Sequence, residues 1–199
     1  QTGAFLILDE STRRNLELMR TLQEGKKVGS LLHLLDHSQT SMGGRLLKRW
    51  LTYPLVDPKA IGARLDKVEA FFERAALRES LVAELVEVAD IERLNARITA
   101  KSANAKDLAS LRRSLMKVPA ILKHIEASGA KALLPLIDFD PCQDVAQEIG
   151  AVLAEEPPFG LKEGGLIRNG VNTELDELRA IGKEGKGFIA RLEAEERVN

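Results

Sequence analysis

Apolar residues recur at three- and four-residue spacing along most of this chain, and helix-starting residues punctuate the runs. Asp9, Ser11 and Thr12 offer caps for a helix through Arg13 to Leu22, after the short apolar run Phe5-Leu6-Ile7-Leu8 that reads as a strand. Ser30 opens a short helix with Leu31, Leu34 and Leu35 expected to face inward. Thr40 or Ser41 opens the next, with Leu46, Leu47, Trp50 and Leu51 as its apolar face, so that Trp50 reads as core. Asp57-Pro58 pairs a capping carboxylate with a proline preset for the first helical position; Ile61, Leu65, Val68, Phe71 and Phe72 follow at helical spacing, and the pattern continues to about Val88. Asp90 starts a segment with Ile91, Leu94 and Ile98 inward.

Asn104 then caps a helix over about 104–126 whose Leu108, Leu111, Leu115, Val118, Leu122 and Ile125 alternate spacings of three and four, the seam by which one helix packs along another long helix. Pro119 lies inside that seam, and a proline in a helix interior costs about 3 kcal/mol, so a kink or a restart is expected there. Asp140-Pro141 predicts a helix carrying Val145, Ile149, Val152 and Leu153, ended by Pro157-Pro158. Leu161 and Leu166-Ile167 around Glu163-Gly164-Gly165 read as a small β-hairpin near 160–171, with Asn169-Gly170 as a tight turn. Thr173 and Asp176 make a capping-box-like start for a last helix, striped by Leu175, Leu178, Ile181, Phe188 and Leu192. If helical from Thr173 to Arg197, it is roughly 37 Å long. Gly182, Gly185 and Gly187 sit inside it as candidate points of bending, together weakening it by roughly 2–3 kcal/mol relative to alanine. The fold class that follows is mainly α: a multi-helical domain with long packed helices, one short N-terminal strand and one small hairpin.

Composition agrees with a helical reading. Of 199 residues, 44% are apolar and 30% charged, but only 4% aromatic, which leaves few of the residues that favour strands. The net charge of -1 supplies no global positive field for nucleic acid, so any such contact has to come from a local patch. No apolar run has the length needed to span a membrane and Gln1 opens no charged leader, so a cytoplasmic location is the default expectation. The lone Cys142 cannot form an internal disulfide.

Candidate chemistry changes the picture little. His33, His37 and His124 have no nucleophile or orienting carboxylate at motif spacing, so no catalytic residue is assigned. Gly182-Lys183-Glu184-Gly185-Lys186-Gly187 superficially suggests a phosphate loop, yet it lacks the Gly-Lys-Ser/Thr ending and follows no strand; no cofactor or metal site is expected in this chain. The most basic stretch is the better candidate. Lys106, Arg112, Arg113 and Lys117, flanked by Lys101 and Lys123, could contact nucleic acid weakly, although charges alternating with a heptad seam more often form its solvated face.

Several blocks, in order, resemble one family. Asp9-Glu10-Ser11-Thr12-Arg13-Arg14-Asn15-Leu16-Glu17-Leu18 is similar to the start of the core domain of the DNA mismatch repair MutS proteins of bacterial type. So are Thr40-Ser41-Met42-Gly43-Gly44-Arg45-Leu46-Leu47, Asp90-Ile91-Glu92-Arg93-Leu94-Asn95, Glu163-Gly164-Gly165-Leu166-Ile167-Arg168-Asn169-Gly170 and Glu174-Leu175-Asp176-Glu177-Leu178-Arg179. The resemblance implies a core domain over 1–172, including a lever helix at about 104–126, and a long lever helix over 173–199 that leads toward a DNA clamp. It implies a structural, signal-transmitting role rather than catalysis; from their own positions, Trp50 and the glycines Gly164, Gly165, Gly170, Gly182, Gly185 and Gly187 read as the structural or hinge residues. It also implies ATP and Mg held elsewhere in the intact protein, and as partners mismatched duplex DNA, a second MutS copy and a MutL-type matchmaker. The alternatives are an autonomous helical DNA-binding module and a protein-interaction scaffold. With the second core segment of the family absent, apolar surface is expected to be exposed.

Overall fold

The structure is a computed structural model that describes residues 5–182, and these are mainly helical. Its helices are α1 (Glu10–Asn15), α2 (Leu31–Leu35), α3 (Ser41–Thr52), α4 (Pro58–Phe72), α5 (Ala75–Leu85), α6 (Ile91–Thr99), α7 (Ala105–Ala127), α8 (Gln143–Val152) and α9 (residues 173–182), with 3-10 turns at Lys131–Leu136 and Leu161–Glu163. The starts follow local chemistry. The side chains of Asp9, Ser30, Thr40, Asp57, Asp90 and Asn104 each accept a backbone N–H of the first turn that follows, satisfying donors that a helix end otherwise leaves unpaired.

α7 is the spine. Its N-terminal half supplies Leu111 and Leu115 to a cluster with Leu94 of α6 and Ala146 of α8. Its C-terminal half supplies Ile125 to a second cluster with Ala70 of α4, Leu77 and Leu81 of α5, Ala130 and Leu133. Between them Ser114, fully buried, accepts a hydrogen bond from Ala89 N and donates one to Ser110 O. The seam therefore packs against several short helices rather than one long partner.

The structure differs from the pattern-based expectations in several places, each for a physical reason. α1 stops at Asn15, because Glu17 adopts a left-handed φ of +48° and its carboxylate accepts Leu22 N. In α2 the buried leucine is Leu32, whose N–H donates to Leu18 O; Leu31, Leu34 and Leu35 are exposed. The run from Ile61 to Val88 is two helices, broken at Glu73-Arg74, and on α4 Leu65, Val68 and Phe72 point to solvent. Trp50 is not core: it is 37% exposed, with the Arg64 guanidinium 3.8 Å above its ring, so the 3–5 kcal/mol cost of truncating a buried aromatic does not apply.

α7 continues through Pro119 with no restart, since the proline is on the exposed side and the carbonyl it strips of a partner is bonded by another side chain. α8 begins at Gln143 rather than at Pro141, after Cys142 takes a left-handed φ of +51°. The strand expectations reduce to two antiparallel bridges, Phe5 with Leu55 and Leu153 with Ile167. No hairpin forms over 160–171, because Leu161–Glu163 coils into a 3-10 turn and Ile167 pairs with the exit of α8 instead.

Candidate junction at the base of the last helix

The last carbonyls of a helix need partners from outside it. At the end of α8, Leu153 N takes Ile149 O at 2.9 Å, and Arg168 takes two more: Nη1 donates to Gly150 O at 2.6 Å and its backbone N–H to Val152 O at 2.9 Å. Ala154 N donates to Leu166 O at 2.9 Å. Residues 166–168 are thereby laid antiparallel along the exit of α8. The reversal that brings them there uses Gly164 and Gly165, at φ of +74° and +73°, a region that side chains disfavour.

The other end of this segment holds α9. Asn172 Oδ1 accepts Leu175 N at 2.9 Å, so Asn172 is the cap rather than Thr173. Asp176 Oδ2 accepts Gly170 N at 2.6 Å, with Gly170 at φ +85°. Arg179 Nη2 donates to Ile167 O at 2.9 Å, and Nη1 to Asn169 Oδ1 at 3.0 Å and Asp176 Oδ1 at 3.4 Å. A carboxylate in the first turn also suits the positive end of the helix. α9 is thus fastened to residues 167–170, and these to α8. Arg168 and Arg179 line a trough of about 980 Å³ at this point, but both guanidiniums are committed to groups of this chain. Gly182 is an ordinary helical residue with open space where a Cβ would stand. Gly185 and Gly187 lie outside the described residues.

The four basic candidates on α7 separate. Lys117 Nζ lies 2.8 Å from Glu87 and 3.3 Å from Glu84, and the bond to Glu87, then that to Glu84, raises its ammonium above the usual lysine range. Arg112 packs on α8 at Gly150, where a Cβ would come within 2.4 Å of its Nε. Lys106 and Arg113 are brought together, seven residues apart, along a groove of about 450 Å³ that also includes Glu156 and Pro157. Lys106 Nζ sits 5.8 Å from the Phe159 ring centroid, and Arg113 Nη2 donates to Ser110 Oγ at 3.2 Å.

A sequence profile of MutS domain III matches residues 11–198. The chain belongs to the MutS domain III family. The DNA mismatch repair protein MutS of Anaeromyxobacter sp. (strain K) is 49% identical to it over 197 residues, covering 98% of this chain and 22% of that protein. The proteins of the same name from Symbiobacterium thermophilum and Bacillus thuringiensis (strain Al Hakam) are 45% identical over 196 residues and 44% over 197, with the same coverage. The chain spans about a fifth of the length of the curated relatives it matches.

Sequence reasoning about this MutS domain missed Arg168, Asp176 and Arg179 as the fasteners of α9. The signal was present only in part: Asp176 and Arg179 are three apart on one helix face, whereas nothing local points Arg168 at α8. Among the described residues no group of three His, Cys, Asp or Glu could hold a metal ion, and no helix is long and apolar enough to cross a membrane. The chain contains no Gly-x-x-x-x-Gly-Lys-Ser/Thr run, the sequence of a phosphate-cradling P-loop.

Proposed function

We propose that this MutS domain is a transmission element, with residues 1–172 as a core body and residues 173–199 as a lever helix that leads to a DNA clamp. In this reading the chain itself is not an enzyme. ATP and Mg act in another domain of the intact protein, which works in the cytoplasm as a homodimer on mismatched duplex DNA together with a MutL-type matchmaker. The observation that supports it is the double fastening by Arg168 and Arg179: the first turns of α9 are tied to residues 167–170, and residues 166–168 to α8. A rotation of the core is then delivered to the helix without slack, as hinge and rigid-body transitions require. The autonomous DNA-binding alternative is weakened by the engagement of Lys117 and Arg112 within the domain.

The test uses the intact protein carrying Arg168→Ala or Arg179→Ala. ATP-induced release from mismatched DNA should slow by a factor in the roughly 5–150-fold range of an allosteric coupling, with ATP hydrolysis and mismatch affinity in the absence of nucleotide retained. Unchanged release in both variants would count decisively against a lever at this junction.

A further inference from the structure

An uninterrupted α7 poses a chemical question that Pro119 makes specific. In an α-helix each N–H donates to the carbonyl four residues back, so the missing N–H of Pro119 strips the carbonyl of Leu115 of its partner. Leu115 is buried, and a buried carbonyl without a partner is costly. Gln143, the first residue of α8, supplies the donor: its Nε2 lies 2.7 Å from Leu115 O, and 3.2 Å from Pro141 O. Cys142, which precedes it, offers no side-chain cap, and this amide adds a tie from the start of α8 to α7.

The placement of Pro119 gives that bond leverage. The proline lies between the two hydrophobic clusters, with Leu111 and Leu115 on one side and Ile121 and Ile125 on the other. A bend there would turn one cluster against the other. We propose that Gln143 stands in for the backbone N–H that Pro119 removes, so that α7 stays one continuous helix only while α8 is docked, and undocking of α8 loosens it at Pro119. Because α8 is also tied through Arg168 to the segment that holds α9, a pull on the last helix reaches this splint through covalent and hydrogen-bonded links alone. The bend point rests on the α7–α8 geometry and stands apart from any lever role of α9. Loss of the Arg168 effect on DNA release would remove the lever and leave the splint.

A double-mutant cycle in the whole chain tests it, since Gln143→Met keeps the length of the side chain and deletes the donor. In the Pro119 background this change should raise the unfolded-to-folded ratio roughly tenfold, the size of one hydrogen bond to a buried group. It should also speed hydrogen exchange of the amides of residues 120–123 by a similar factor. In the Pro119→Ala background, where the alanine N–H takes over Leu115 O, the same substitution should change both readouts less than about twofold. Equal losses in the two backgrounds would make Gln143 a plain fastener between helices and overturn the proposal, as would unaltered exchange after Pro119.

Discussion

Glycine-to-alanine changes should have opposite signs at two positions twelve residues apart. Gly170 holds φ +85° while its N–H donates to Asp176; alanine there forces a Cβ into the left-handed region and should lower stability by about 1–2 kcal/mol. Gly182 is helical with nothing near its missing Cβ, so alanine should add up to about 1 kcal/mol of helix stability. Urea midpoints of the two variants check this, and a shift in the same direction for both would refute it. The turn at Gly164-Gly165 was legible because a left-handed backbone leaves a mark in residue type. The exposure of Trp50 was not: its apolar face predicts burial, and only the place of Arg64 on the next helix shows that a cation covers it instead.

At the scale of elements, helix starts could be read and helix faces could not. Caps are contacts between residues two or three apart, and the six side-chain caps from Asp9 to Asn104 stand at residues of the capping type. Burial instead depends on which distant helix arrives. α4 shows this, because its regular stripe of Ile61, Leu65, Val68 and Phe72 faces outward and its buried residue is Ala70.

Charge pairing also links elements. Arg45 bonds Asp90 through two nitrogens at 2.7 Å and also Glu92 at 2.6 Å, tying α3 to the start of α6. The Arg45 guanidinium, and next to it the Arg93 backbone N–H, hold the Asp90 carboxyl down at about 2. A native value below the unfolded one means that this stabilisation is complete above the ordinary carboxylate range and is lost as pH falls from there toward 2. Asp90→Asn should therefore lower stability at neutral pH and flatten its decline between about pH 5 and pH 2; a decline as steep as in the parent protein would show that Asp90 carries none of it.

At the scale of the whole molecule, the described residues form two small clusters strung on α7, and much apolar surface remains outside them. Phe72 is 79% exposed, and Leu65, Val68, Leu34 and Leu46 are exposed as well. The exposed stripe of Leu65, Val68 and Phe72, spaced along one face of α4, favours association, most strongly near the isoelectric point of about 6.4, where repulsion between copies vanishes. Light scattering of the chain should show concentration-dependent self-association near that pH, relieved by Leu65→Glu with Val68→Lys; a monomer at every concentration would contradict it.

By itself the sequence determined the helical class, the positions of most helix starts, the turn glycines and the family, because each of these is written in residues close together or in ordered blocks along the chain. Only the tertiary structure decided which faces are buried, that Leu166 to Arg168 pair with α8 rather than with Leu161, and that α7 passes Pro119 unbroken. The last two rest on Ile167 for Leu153 and Gln143 for the Leu115 carbonyl, and the buried faces on partners farther still along the chain, such as Ala70 for Ile125. A local pattern states what a segment needs, a donor or an apolar cover, and chain folding selects which distant residue supplies it.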